Sequence, residues 1–198
     1  MSADLLVPVL AALARVVGAT TPDQDHLPTP CDGMDVVSLR GHLLGGLPYF
    51  TLALSDPDGD ERPDPRAYTG PDGRDVLVAA IEELSATAGI ALAGGVEAVP
   101  VKVPHLGGTF PGDMVISMLF AEVVVHGWDM ASATGQAWQP AYAASERAHA
   151  LLTTMVQPQL RGGAGMPFAP EVSVAADAPA LDRLLGFAGR SPDWAPRS

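Results

Sequence analysis

Glu122, His126 and Asp129 follow one another at i, i+4 and i+7 inside Met114 to Asp129, a run that is otherwise almost wholly apolar. On a helix that spacing places all three on one face. A helix so apolar is expected to be buried on most of its circumference. An ionised carboxylate in such surroundings is costly unless a cation or several donors compensate it. A divalent metal satisfies a carboxylate and an imidazole together. Two ligands at i and i+4 aim at a common point, and a third from a facing helix closes the triangle. His42, set among Leu39, Leu43, Leu44 and Leu47, is the expected third member. Two histidines and one glutamate with a fourth position open form a recurrent catalytic zinc arrangement. Nickel, iron, manganese and cobalt suit the same donors.

Asp129 has three readings: a fourth ligand, a group that orients His126, or a structural acid. It is also the nearest candidate for a catalytic proton acceptor. An acid near a helix C-terminus opposes the helix dipole, so a partner is expected for it. Trp128 is either core or pocket wall. Cys31 stands just before a helix, where the helix N-terminus would lower its pKa; the alternative is a small buried hydrophobe. His26 and His105 fall in loops and His149 in a helix among alanines and leucines, and each is expected to be structural or solvated. The glycine pairs at 45–46, 94–95, 107–108 and 162–163 form no GxGxxG element or phosphate loop, and no G-x-S-x-G or H-E-x-x-H sequence occurs.

The elements that must position these groups are helical. Leu5, Leu6, Val9, Leu10, Leu13, Val16 and Val17 recur at helical spacing in Ala3 to Gly18. A turn-rich stretch with three prolines leads to Asp35, which can cap a second helix. Pro48 is expected to kink or break that helix before Tyr49–Leu54. Ser55 to Asp72 is an acidic loop rich in Pro and Gly, expected to be mobile, part of a site mouth, or simply solvated. A third helix is expected over Arg74 to Ala93, with Val76, Leu77, Ala80, Ile81, Leu84 and Ala88 facing inward. Val96 to Pro104 is a candidate extended segment. Asp113 is the expected cap of the central helix, which runs to about Thr134 and stops at Gly135. A fifth helix is expected over Ala141 to Leu160, ending or interrupted near Pro158. A flexible Arg161–Gly165, a short strand over Glu171–Ala175 and a terminal helix over Leu181–Phe187 complete the chain. Four or five helices of this length read as an all-α helix bundle with minor β content.

The chain has 198 residues, 47% of them hydrophobic, which suits one domain over 1–198. A net charge of -12 with no Lys/Arg cluster argues against nucleic acid as a partner. One cysteine rules out an intramolecular disulfide and fits a reducing cytoplasm. The apolar N-terminus lacks a basic leader and carries Asp4 and Arg15, so an amphipathic helix is a better reading than a signal peptide. No stretch reaches about 18 uninterrupted apolar residues, and no membrane partner is expected. The oligomeric state has no signature in the sequence.

Thr29-Pro30-Cys31-Asp32-Gly33-Met34-Asp35-Val36, followed by Leu39-x-x-His42-Leu43-Leu44-Gly45-Gly46, resembles the second-helix signature of actinobacterial DinB-like proteins. These group with the metal-binding domain of mycothiol-dependent maleylpyruvate isomerase. Glu122-Val123-Val124-Val125-His126-Gly127-Trp128-Asp129-Met130-Ala131 to Gln136 resembles the second, more specific motif of the family. The ending from Asp182 to Trp194 is similar to one subgroup. The resemblance covers nearly the whole chain. It implies a DinB-like four-helix bundle with a short C-terminal extension. A divalent metal, usually zinc, would be held by His42, Glu122 and His126. Met34 departs from the aromatic residue often found there, which removes no ligand. The chain is short for the isomerase with its C-terminal domain, so the resemblance carries the metal-binding part and leaves maleylpyruvate as substrate aside.

Two functional readings and a third, non-catalytic one follow. The first is a metal-dependent S-transferase or isomerase, in which the open position takes a low-molecular-weight thiol, by resemblance mycothiol, and presents its thiolate to a small electrophilic substrate. The second is a hydrolase that uses the same position for a water. The third is a bundle that uses the metal for stability or for binding a small ligand without turnover.

Overall fold

The computed structural model describes residues 2–162 and 166–196. Helix α1 (Ala3–Gly18) buries Leu6, Val9, Leu10, Leu13, Val16 and Val17 along one stripe, as their spacing requires. Helix α2 (Val36–Ser55) starts where the Asp35 side chain accepts the Ser38 N–H at 2.9 Å, an N-cap that satisfies one of the free donors of the first turn. It then runs unbroken through Pro48 to Ser55, contrary to a break there. Pro48 removes one N–H, but Leu47, Tyr49 and Leu54 on either side are buried, and that packing outweighs the lost bond.

Helix α3 (Arg74–Ala93) buries Leu77, Ile81, Leu84 and Ala88. Val76, expected inward, is instead 38% exposed, because it leads the helix on the side away from the bundle. Gly95, at φ 82°, lets the chain turn out of the helix. Strand β1 (Pro100–Val103) pairs antiparallel with β2 (Gly108–Pro111), Val101 opposite Phe110. The extended reading of 96–104 thus holds for its second half. Its partner strand falls in the stretch that leads into the next helix.

Helix α4 (Gly112–Ala133) begins at Pro111 without a side-chain cap. Asp113 is not the cap but lies in the first turn, ion-paired to Arg147, where its charge still complements the dipole. A Cβ at Gly112 would sit 1.9 Å from the Val96 carbonyl, so only glycine lets the helix start against the turn at 96–99. Helix α5 (Tyr142–Met155) is followed by a single 3-10 turn at Pro158–Leu160, and α6 (Ala180–Phe187) closes the order. No strand forms over 171–175. That segment leans on α6, with the Val172 N–H donating to the Gly186 carbonyl at 2.9 Å. Arg161 is held rather than flexible: it donates to the Phe187 carbonyl at 2.8 Å and lies over the Phe187 ring. Residues 163–165 of that expected turn lie outside the described residues.

Around the bundle α1 touches α3, α3 touches α2, α2 touches α4 and α4 touches α1; α5 packs on α4, and α6 on α5. The fold is all-α with one small hairpin, and its core holds Leu6, Leu10, Leu13, Leu39, Leu43, Leu47, Leu77, Ile81, Ile116 and Phe120. The α2–α4 contact is the one that brings the candidate ligands together.

Candidate metal centre

His42 projects from the middle of α2, and Glu122 and His126 from successive turns of α4. His42 Nε2 stands 2.9 Å from Glu122 Oε1, and His126 Nε2 stands 3.9 Å from Glu122 Oε2. The two imidazole rings meet edge to face, 4.8 Å between centroids. Ligand-capable atoms of the three side chains all lie within 4.8 Å of one another. Ligands 2.0–2.1 Å from a tetrahedral zinc ion stand roughly 3.3 Å apart, and the separations of 2.9 and 3.9 Å bracket that spacing.

The Glu122 carboxylate is buried, and the nitrogen that faces its Oε1 is His42 Nε2 at 2.9 Å. A sealed carboxylate needs either a proton on that imidazole or a cation beside it, and two imidazoles with one carboxylate are a donor set that zinc takes. The residues therefore fit a divalent ion. Burial alone would raise the Glu122 carboxyl, but His126, His42 and Arg190 outweigh it and hold the group at about 2. The Glu122 carboxylate in turn raises His42 above its ordinary value, against the effect of burial. The field at this point favours positive charge, whether proton or metal.

Two glycines of α2 make room for this arrangement. A Cβ at Gly46 would lie 3.3 Å from Glu122 Oε1. A Cβ at Gly45 would lie 2.0 Å from the Pro65 carbonyl, so the 55–73 loop rests its backbone on the next residue of the same helix. Arg40 fastens that loop by a two-pronged pair with Asp72, both contacts at 2.8 Å, while its Nη1 reaches Asp25 at 2.8 Å. The loop is thus a strap against α2 rather than a loose connection.

Asp129 is fully buried and lies behind His126. Its Oδ2 accepts from His126 Nδ1 at 2.9 Å and from Arg190 Nη2 at 3.0 Å, and Oδ1 faces Arg190 Nε at 3.3 Å. Burial pushes this carboxyl up, but the His126 N–H and Arg190 more than offset it, and its pKa lies below the ordinary value. With Nδ1 donating to a carboxylate, His126 turns the lone pair of Nε2 toward Glu122 and His42. Arg190 is the partner that a buried acid near a helix end demands, and its own Nη1 donates to the Ala188 carbonyl at 2.7 Å. Sequence reasoning missed it. The only signal was the unmet need of Asp129, since the two are 61 residues apart.

Cys31 approaches from the same side. Its sulfur belongs to a second group of ligand-capable atoms with His126 and Asp129. Burial pushes its thiol up to about 11, so desolvation prevails over any acidifying effect of a helix N-terminus. A cavity of about 400 Å³ opens there, lined among others by Cys31, Asp32, Phe168 and Arg190. Trp128 is buried core. His26 lies by Asp35 at 3.3 Å, His105 packs edge-on against Tyr49, and His149 against Phe187; none is among the grouped donors.

Two uncharacterized proteins from strains of Mycobacterium tuberculosis are each 34% identical to the chain over 184 residues, which is 91% of this chain and 92% of theirs. No solved structure matches it. The family described as the mycothiol maleylpyruvate isomerase N-terminal domain matches residues 6–131. That span holds His42, Glu122, His126 and Asp129 and stops short of Arg190. With well over half of its length matched, the chain belongs to the mycothiol maleylpyruvate isomerase N-terminal domain family.

Proposed function

We propose that this chain is a divalent-metal enzyme that activates a low-molecular-weight thiol, mycothiol by family membership, for transfer to a small electrophile or for its isomerisation. The supporting observation is the buried Glu122 carboxylate held between two imidazoles, His42 Nε2 2.9 Å from Oε1 and His126 Nε2 3.9 Å from Oε2. His42, Glu122 and His126 would hold the ion, with zinc the best match to two nitrogens and one carboxylate. When bound, the ion supplies a Lewis acid that keeps a coordinated thiol deprotonated at neutral pH. His42 keeps 40% of its side chain exposed, which leaves an approach for the thiol from the α2 side. Glu122 fixes the spacing between the two histidines. Asp129 holds the His126 tautomer, and Arg190 holds Asp129. Since no part of Asp129 is exposed, it acts through His126 as a positioning residue and does not meet the substrate. A cytoplasmic setting, where small thiols are kept reduced, accompanies this reading.

The test is product formation by zinc-loaded protein given an activated electrophile, with and without thiol. Product that requires both the thiol and His42 is the expected result. Turnover without thiol would replace this reading with a metal-hydroxide hydrolase. Bound metal with no turnover across a panel of electrophiles would leave a non-catalytic bundle.

A further inference from the structure

Helix α3 is long and apolar enough, by length and composition, to pass for a membrane span, yet only 22% of its most apolar window is buried, against 78% for α4. Its outer side lies beside α1, and between the two runs a groove of about 810 Å³. Ala11 and Ala14 from α1, with Ser85, Ala86 and Gly89 from α3, make this surface shallow, and Ile90 stands 75% exposed at one end. Two residues of opposite sign border it, Arg15 and Glu82. Among the described residues neither has an ion-pair partner.

We propose that this face receives a second copy of the same chain. The helices run antiparallel, as the approach of Gly18 to Val78 shows, so Arg15 and Glu82 share one end of the groove. A twofold axis between them sets each Arg15 against Glu82 of the other copy. That axis runs along the groove and lays α3 of each copy over α1 of the other, so the exposed Ile90 meets the Val7 end of the other copy's α1. Such an interface is isologous, and alanine and glycine let the helices approach closely. Each chain carries -12, and two copies repel over most of their surface. Across this groove the lining charges cancel. The footprint of two adjacent helices of this length is on the order of 500 Å² per copy, which places the dimer among weak, concentration-dependent ones.

Sedimentation velocity of the full chain over a concentration series tests this, with and without chelator, so that the outcome is independent of the metal. The expected result is a shift from 20.4 kDa toward twice that mass. Ala86→Arg should hold the protein monomeric with an unchanged circular dichroism spectrum. Arg15→Glu should weaken dimerisation by about tenfold, two exposed pairs being lost, and adding Glu82→Arg should restore it. A wild type that stays monomeric throughout overturns the proposal, as does a dimer indifferent to all three variants. So does a monomer that co-sediments with phosphatidylglycerol vesicles, which would make the face a lipid contact.

Discussion

Asp129 illustrates how much of this site is decided by a group that never reaches it. Its carboxylate supplies the acceptor that fixes His126 and the counter-charge for Arg190, whose side chain is only 7% exposed. Asp129→Asn keeps the shape and removes the charge. The amide can also present its N–H₂ to His126 and so favour the wrong tautomer. Metal affinity in this variant should fall about 10- to 100-fold, measured by competition with a chromophoric chelator; an unchanged affinity would mean that Asp129 is only a structural acid. The three donors themselves were readable, because a Glu and a His four apart stand out in a helix as apolar as Met114–Asp129, and His42 stands out among leucines. Arg190 was not readable. It follows a loop and a short helix in a stretch with no periodic pattern, and only the fold brings it under α4.

At the scale of elements, α2 does two jobs with adjacent glycines. Gly45 seats the strap formed by the 55–73 loop, and Gly46 leaves space for the Glu122 carboxylate. Gly46→Ala should therefore split two properties that usually move together. Alanine in a helix interior stabilises by up to about 1 kcal/mol relative to glycine. The added Cβ, 3.3 Å from Oε1, must push the carboxylate off its position, and metal affinity should drop by about tenfold. Urea unfolding beside metal titration checks both; a variant that gains stability and keeps full affinity would show that the glycine is not a spacer for the site. The helices were legible from periodicity and caps, with α1 and α3 matching their expected limits. Local signals misled where tertiary partners prevailed. Asp113 looked like a cap but is taken by Arg147, Pro48 sits inside a helix held by its buried neighbours, and 171–175 alternates without a strand to pair with.

For the whole molecule, the helices after residue 131 complete what the bundle begins. The family match ends there, but Arg190 reaches back to the buried carboxylate of α4, and α5 covers the outer side of that helix. The sequence showed a bundle; it could not show that α3 would leave an apolar side uncovered, because beyond Glu83 the helix has no charged residue to mark its outer side. The central claim is that α2 and α4 hold one divalent ion between His42, Glu122 and His126. Calorimetric titration of zinc into chelator-treated protein measures it directly. The wild type should take up one equivalent, and His42→Ala and Glu122→Ala, still helical by circular dichroism, should bind at least about a hundredfold more weakly. A wild type that takes up no zinc, or variants that bind as tightly as it does, would contradict the account.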